Sequence, residues 1–336
     1  MIKKVINKSR AKRRFSDLVG IDFSTTATKV VRLKDNKGVL SLAGIDLMPA
    51  IDLSSAATRI DLPRNIAAHY GCLSYTGNAA VVRMINTQIP GNEDQVPESK
   101  LRELLNVTDD FRVSAQLIKK GKGRQDSSLL AVAIPKDDVR YILDMFPAGP
   151  PAPASLEISG LSFVTAFLHA RGAECESSTV CLVETGETVS HFAFLNKGEI
   201  TLVGKMPFGA KTLRNKLSKD LGVDDELAVS ILNDRSINIS ASLSSVLDPF
   251  IKQLSISKDF IERHQGCRVG KVYVSGGLSL LPSWSEEISQ KLLAETVRWS
   301  PLENIECDPD ILTDDMKQQV TRFSAAIGAA IGGFEK

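Results

Sequence analysis

The alternation of apolar and polar positions first becomes regular at "VGIDFSTTATKVVRL", residues 19–33. Val19, Ile21 and Phe23 predict one strand and Val30, Val31 and Leu33 the next, which makes residues 24–27 the turn of a hairpin. One carboxylate, Asp22, sits among the apolar positions beside that turn. Taken alone, the stretch reads as a polar strand end closed by a Ser/Thr turn. The same order of parts returns at 180–204, "VCLVETGETVSHFAFLNKGEITLVG", set against "VGIDFSTTATKVVRLKDNKGVLSLAG" at 19–44. Each copy is a strand ending in a carboxylate, small polar residues, a strand, an Asn-Lys-Gly turn and a third strand. Asp22 matches Glu184, Ser24 matches Gly186, and Lys29 matches His191.

Between the copies, residues 80–147 predict strand, helix, strand, strand and helix, a βαββα unit with "GKGRQD" as the turn between its last two strands. After the second copy come helical patterns, then "KVYVSGGLSLLPSWSEEISQKL", a strand running through Gly276-Gly277 into an amphipathic helix. The terminal "SAAIGAAIGGF" is apolar but far too short to span a membrane, and its small residues suit close packing against a sheet.

The 336 residues suit two domains of moderate size, and a hydrophobic fraction of 43% is that of a soluble globular chain. No secretory signal pattern opens it. Five scattered cysteines without CxxC spacing and four dispersed histidines argue against disulfides or zinc and for a reducing cytoplasm. Residues 1–14 hold seven basic and no acidic side chains, so the net charge of +1 leaves 1 − 7 = −6 on the remainder. An acidic body disfavours nucleic acid. The basic arm reads as a solubilising tail or as a weak contact with an anionic membrane surface.

The paired hairpins suggest a clamp. Turns rich in Gly, Ser and Thr offer backbone N–H groups and hydroxyls to phosphate oxygens. One carboxylate beside each, Asp22 and Glu184, can hold Mg²⁺ through water, and Lys29 can neutralise a phosphate. Gly276 and Gly277 would let backbone approach a planar ligand.

Phosphate hairpin, inserted unit, second phosphate hairpin, helical segment and strand-GG-helix, in that order, resemble the actin-like ATPase superfamily. Within it, "GIDFSTTATKVVRL", "VVRMINTQIP", "LLAVAIPKDDVRYILDMF", "GKMPFGAKTL", "VYVSGGLSLLPSWSEEI" and "SAAIGAAIGGF" are similar to the PilM family of type IV pilus assembly, from Asp17 to Phe334. The resemblance implies an α/β chain with an actin-like ATPase fold, two ribonuclease H-like lobes and an inserted βαββα subdomain. It implies a basic arm at 1–14, a first lobe at 15–81 and 148–178, the insertion at 82–147, a second lobe at 179–208 and 267–336 that includes the C-terminal helix, and a helical subdomain at 209–266.

It further implies ATP and Mg²⁺ as cofactors, held by Asp22, Ser24, Thr25, Thr26, Lys29, Thr185, Gly186, Gly276, Gly277 and Leu278, with Asp22 and Glu184 on the metal. Glu184 and His191 are the catalytic candidates, and Glu157 or Ser159 falls where a water-positioning group would stand. Ser24 replaces the family's glycine and would crowd a phosphate, and Glu184 replaces its aspartate. Val229 and Leu232 stand where relatives place a Glu and a Lys on ribose and base. Any ATPase activity would be slow. The implied role is a cytoplasmic adaptor at the inner face of the inner membrane, docking the N-terminal cytoplasmic tail of a PilN-like bitopic membrane protein, with Arg83 on the groove, and meeting pilus motor components. The alternatives are a sugar-type kinase, which would need a base and, in one subgroup, a zinc motif, and an FtsA-like filament former, which would need a terminal membrane helix.

Overall fold

The computed structural model describes residues 15–51, 59–89, 96–121, 126–234, 237 and 239–335. The basic arm and residues 122–125 of the "GKGRQD" turn lie outside them. Strand β1 (Asp17–Phe23) pairs antiparallel with β2 (Ala27–Asn36), and β2 with β3 (Val39–Pro49). Next, β4 (Tyr70–Tyr75) joins β1 in parallel. The chain continues through β5 (Val81–Thr87), α1 (Glu98–Leu105), β6 (Phe111–Lys119), β7 (Ser127–Pro135) and α2 (Lys136–Asp144) before β8 (Ala152–Ile158) returns beside β4. Helix α3 (Ser159–Cys175) leads to a second meander, β9 (Thr179–Thr185), β10 (Ser190–Asn196) and β11 (Glu199–Met206).

Three helices follow, α4 (Ala210–Leu221), α5 (Asp225–Asn233) and α6 (Ser240–Gln265). Strand β12 (Val269–Gly276) then pairs in parallel with β9. A 3-10 turn (Gly277–Leu280) separates β12 from α7 (Pro282–Leu292), so the glycine pair does not feed the helix directly. After β13 (Glu295–Arg298), the two-residue β14 (Glu306–Cys307) crosses back to β3. Last come α8 (Asp314–Gln319), a 3-10 turn (Val320–Phe323) and α9 (Ser324–Phe334).

The internal repeat is a repeat of sheets. The six-stranded sheet runs β14-β3-β2-β1-β4-β8 and the five-stranded sheet β11-β10-β9-β12-β13, so each is a meander extended on its first strand by two parallel strands. Both Asn-Lys-Gly turns close in the same way: φ is +55° and +97° at Lys37 and Gly38, and +51° and +78° at Lys197 and Gly198. Two successive positive φ values match the right-handed twist of a hairpin, and glycine makes the second one cheap.

The third sheet has the order β5-β7-β6 and a core of its own, in which Leu101 and Leu105 of α1 cover Ile85, Leu129, Ala131 and Ala133. Helix α2 behaves differently from the other elements of the expected insertion. Its Ile142, with Met145 behind it, joins Val19, Ile21 and Phe23 in the core of the first sheet, and the Tyr75 hydroxyl donates to Asp138 at 2.5 Å. On the second sheet, Phe208 stacks on Phe250 and Trp284, with centroids 4.9 and 5.9 Å apart, and this packing anchors α6 and α7.

Helix α9 returns from the second sheet to the first and lies against both α3 and β1. Small residues permit that approach: a Cβ on Gly20 would stand 2.0 Å from the Ala326 carbonyl oxygen, and one on Gly328 would stand 1.7 Å from that of Ser162. Gly20→Ala and Gly328→Ala are each expected to destabilise the fold by roughly 1–3 kcal/mol or more through overpacking. Gly270→Ala, whose added methyl meets nothing within 4 Å, should stay within about 0.5 kcal/mol of the parent in urea titrations.

Candidate functional site

The two hairpins present their chemistry in one register. Asp22 is the cross-strand partner of Lys29, and Glu184 is that of His191. Their turns face a common cavity of about 260 Å³, closed on a third side by the 3-10 turn at Gly277. Every residue expected to bind nucleotide or metal lines it: Asp22, Ser24, Thr25, Thr26, Lys29, Glu184, Thr185, Gly186, Gly276, Gly277 and Leu278. His191 lines it too, and so do Val229 and Leu232 of α5. Arg83 stands apart, exposed on β5. Of the two water-positioning candidates, Ser159 reaches the cavity, whereas Glu157 accepts from Ser162 at 3.2 Å and faces Gly332 of α9.

Asp22 is buried, and both its oxygens are engaged. The Lys29 ammonium donates to Oδ2 at 2.9 Å and the Ser159 hydroxyl to Oδ1 at 2.8 Å. Ser159 in turn accepts from Ser74 at 2.8 Å and Thr76 at 2.7 Å. Ser24 differs from expectation in what its hydroxyl does. It donates to the Ala27 carbonyl at 2.7 Å and accepts from Lys29 at 2.8 Å, so it braces the turn and the lysine. Lys29, expected on a phosphate, is held by Asp22 and Ser24.

Glu184 mirrors Asp22 but with a different electrostatic outcome. It accepts from Ser324, the first residue of α9, just as Asp22 accepts from Ser159, the first residue of α3. Burial raises its pKa to about 8; the Ser324 hydrogen bond opposes the shift, and the nearby Asp22 charge adds to it. His191 is buried as well, and desolvation lowers it to about 4, so its imidazole is neutral at ordinary pH. Its ring lies over Gly160, where a Cβ would approach to 2.5 Å.

The glycines divide by purpose. A Cβ on Gly276 would meet the Thr185 carbonyl oxygen at 2.1 Å, and one on Gly186 the Val189 oxygen at 2.6 Å, so these two serve backbone packing. A Cβ on Gly277 would meet nothing within 4 Å, and the residue lines the cavity.

A hydrated Mg²⁺ fits this donor set. Two carboxylates from separate hairpins face one cavity and repel each other, and a cation between them would relieve that repulsion. Among the described residues no group of three or more His, Cys, Asp or Glu gathers. The cavity is slightly below the roughly 300–1,000 Å³ of small-molecule clefts, so a nucleoside triphosphate would fill it and protrude.

Sequence reasoning missed five contributors. Ser324 was read only as part of a packing helix. Arg214 and Glu187 pair at 2.5 Å at the cavity edge, and half-buried Arg322, which donates to Gln319 at 2.6 Å, also lines it. Lys205, the cross-strand neighbour of His191, donates to the carbonyls of Gly77, Asn78 and Ala80 at 3.1, 2.7 and 2.6 Å. Only Ser324 carried a signal, a serine opening a helix.

The Glu184 shift fixes the sign of a pH effect. A carboxyl whose folded pKa is raised holds its proton longer in the folded state, so its contribution is present below about pH 4.5 and lost as pH rises through 8. The His191 shift acts only below its unfolded value of 6.5. Between pH 6.5 and 8, in EDTA, melting temperature should therefore fall with pH in the parent. In Glu184→Gln that slope should flatten, a result thermal melts at four pH values would reveal.

Comparison with known proteins agrees with this architecture. A solved structure described as a PilM–PilN type IV pilus biogenesis complex superposes with a TM-score of 0.78 at 16% identity, covering 96% of this chain and all (100%) of that one. Ethanolamine utilization protein EutJ from Carboxydothermus hydrogenoformans gives 0.46 at 17% identity over 97% of this chain and 92% of its own. The activator of 2-hydroxyisocaproyl-CoA dehydratase from Clostridium difficile, with bound ADPNP, gives 0.47 at 12% over 95% and 94%. The TM-score of 0.78 shows that this chain shares the fold of the first of these structures. Among the described residues no helix is long and apolar enough to cross a membrane. The family model "Type IV pilus assembly protein PilM" matches residues 101–334, and the chain belongs to that family.

Proposed function

We propose that this chain is a cytoplasmic adaptor of type IV pilus assembly that binds Mg²⁺-ATP between two ribonuclease H-like lobes and docks the N-terminal tail of a PilN-like membrane protein. The lobes are the units built on the six- and five-stranded sheets, and the inserted subdomain is β5 to β7 with α1. Membership of the PilM family supports the pilus role, and the solved relative described as a PilM–PilN complex suggests the partner. One observation carries the nucleotide part: Asp22–Lys29 and Glu184–His191 occupy the same register and line one cavity.

In this reading the ion would be held by Asp22 and Glu184 and would supply positive charge to the phosphates. Lys29 and Ser159 orient Asp22, and Ser324 orients Glu184. Nucleotide then acts as a conformational ligand through its different affinity for open and closed clefts. Any turnover is slow, because the hairpins supply positioning and charge but the one imidazole, His191, has a pKa lowered to about 4 and makes a poor base. The adaptor works at the inner face of the inner membrane, where the tail of a bitopic protein emerges.

Asp22→Asn preserves volume and removes the charge that a cation needs. It should weaken ATP binding by about ten- to a hundredfold with Mg²⁺ and by far less in EDTA, as calorimetry reads directly. Equal losses in both conditions would count against metal at Asp22.

For the partner, the extended peptide is expected to lie along the inserted subdomain near Arg83, with backbone hydrogen bonds and alternating pockets. Val81 of β5 pairs directly with Ala133 of β7, so two glycines can bridge the gap left by residues 82–132, at the loss of the Asp110 carbonyl that accepts from the Lys136 N–H at the start of α2. The shortened protein should keep its cooperative unfolding and lose binding of a PilN-like N-terminal peptide, measured by fluorescence anisotropy. Removal of residues 1–14 should leave peptide affinity unchanged. Binding that survives the excision would move the docking site off the insertion.

A further inference from the structure

The cavity has two chemically distinct sides. One is polar and belongs to the hairpin turns. The other comes from α5 and the turn after β12. Helix α5 already has a core face, with Ala228 and Ile231 buried among the helices of the second sheet. Val229 and Leu232, three apart and so neighbours on another face, line the cavity; Leu232 also packs on that core, whereas Val229 is 38% exposed. Leu278, Leu280 and Leu281 add apolar lining from the turn, Leu278 as a buried core residue and Leu281 packed against the same core. The part of this face that the core leaves open centres on Val229 and Leu280, and an exposed apolar surface inside a cleft marks a ligand contact.

The charged groups on the lining are committed elsewhere. Arg214 is held by Glu187 at 2.5 Å and by Asp225 at 3.1 Å, Arg322 by Gln319, and Lys29 by Asp22 and Ser24. We infer that the apolar side takes the ring of a purine nucleoside triphosphate by contact area alone, without reading its edge, so that adenine and guanine nucleotides bind alike. This rests on the nucleotide reading above and adds the ligand class. Sites that hydrogen-bond a substrate group reject analogues lacking it by large factors, whereas apolar walls discriminate only through area. Pyrimidines, with less ring to bury, bind more weakly than purines.

Competition binding on the full chain tests this, with Mg²⁺ present and ATP, GTP, CTP, UTP and inorganic tripolyphosphate as competitors. ATP and GTP should agree within about threefold, and tripolyphosphate should bind roughly tenfold more weakly because it buries no ring. Val229→Asn with Leu232→Asn should weaken both purine nucleotides equally and leave tripolyphosphate unchanged. A preference of tenfold or more between the two purines overturns the inference, and so does tripolyphosphate binding as tightly as ATP. Failure of all five competitors overturns the nucleotide reading itself, whereas tripolyphosphate binding with a marked base preference sinks only the present inference.

Discussion

Two helices that cross at van der Waals contact set the rest of the molecule. Helix α3 carries the chain from the first sheet to the second and α9 brings it back, and the contact of Gly328 with the Ser162 carbonyl leaves no room for a methyl group between them. Because each helix opens with the serine that donates to a hairpin carboxylate, this crossing fixes the separation of Asp22 and Glu184. The geometry of the cavity is thus a consequence of helix packing some distance from it. Precision of this kind is expected where a site stands on rigid elements supported by a second layer of contacts.

Equivalent positions need not have equivalent chemistry. Asp22 is buried yet has a lysine at 2.9 Å, which compensates its charge. Glu184 is buried with only a hydroxyl, and its cross-strand partner is a neutral imidazole, so the proton stays on. The repeat therefore gives one carboxyl a lysine partner and the other only a hydroxyl, with its pKa raised by burial. The substitution of a longer carboxylate and of histidine for lysine in the second copy is where the two halves of the chain have diverged most.

Much of this was legible from residues alone, for physical reasons that differ by element. Alternation located β1, β2, β9 and β10 because their buried positions leave little freedom of register, and the Asn-Lys-Gly turns were readable because few residues tolerate two positive φ values. The cavity residues followed from the repeat. What escaped was non-local. Nothing in "KDDVRYILDMF" tells that Ile142 packs on β1 rather than on the third sheet, since an amphipathic helix does not name its partner. Gly276 reads as a ligand contact and lines the cavity, but its closeness to the Thr185 backbone, 91 positions away, was not legible. Ser24 was legible as a departure from glycine, but the brace that its hydroxyl makes to a carbonyl three residues on was not.

Lys205 joins the three sheets at one loop. Its ammonium satisfies three carbonyls of the loop that leaves the first sheet for the third, while its own strand belongs to the second. Sliding β11 away from that loop would leave a half-buried charge without acceptors, at a cost of several hydrogen bonds to an ion. A single side chain therefore ties the second sheet to the loop through which the first sheet passes to the third, at a point that lies outside both hairpins.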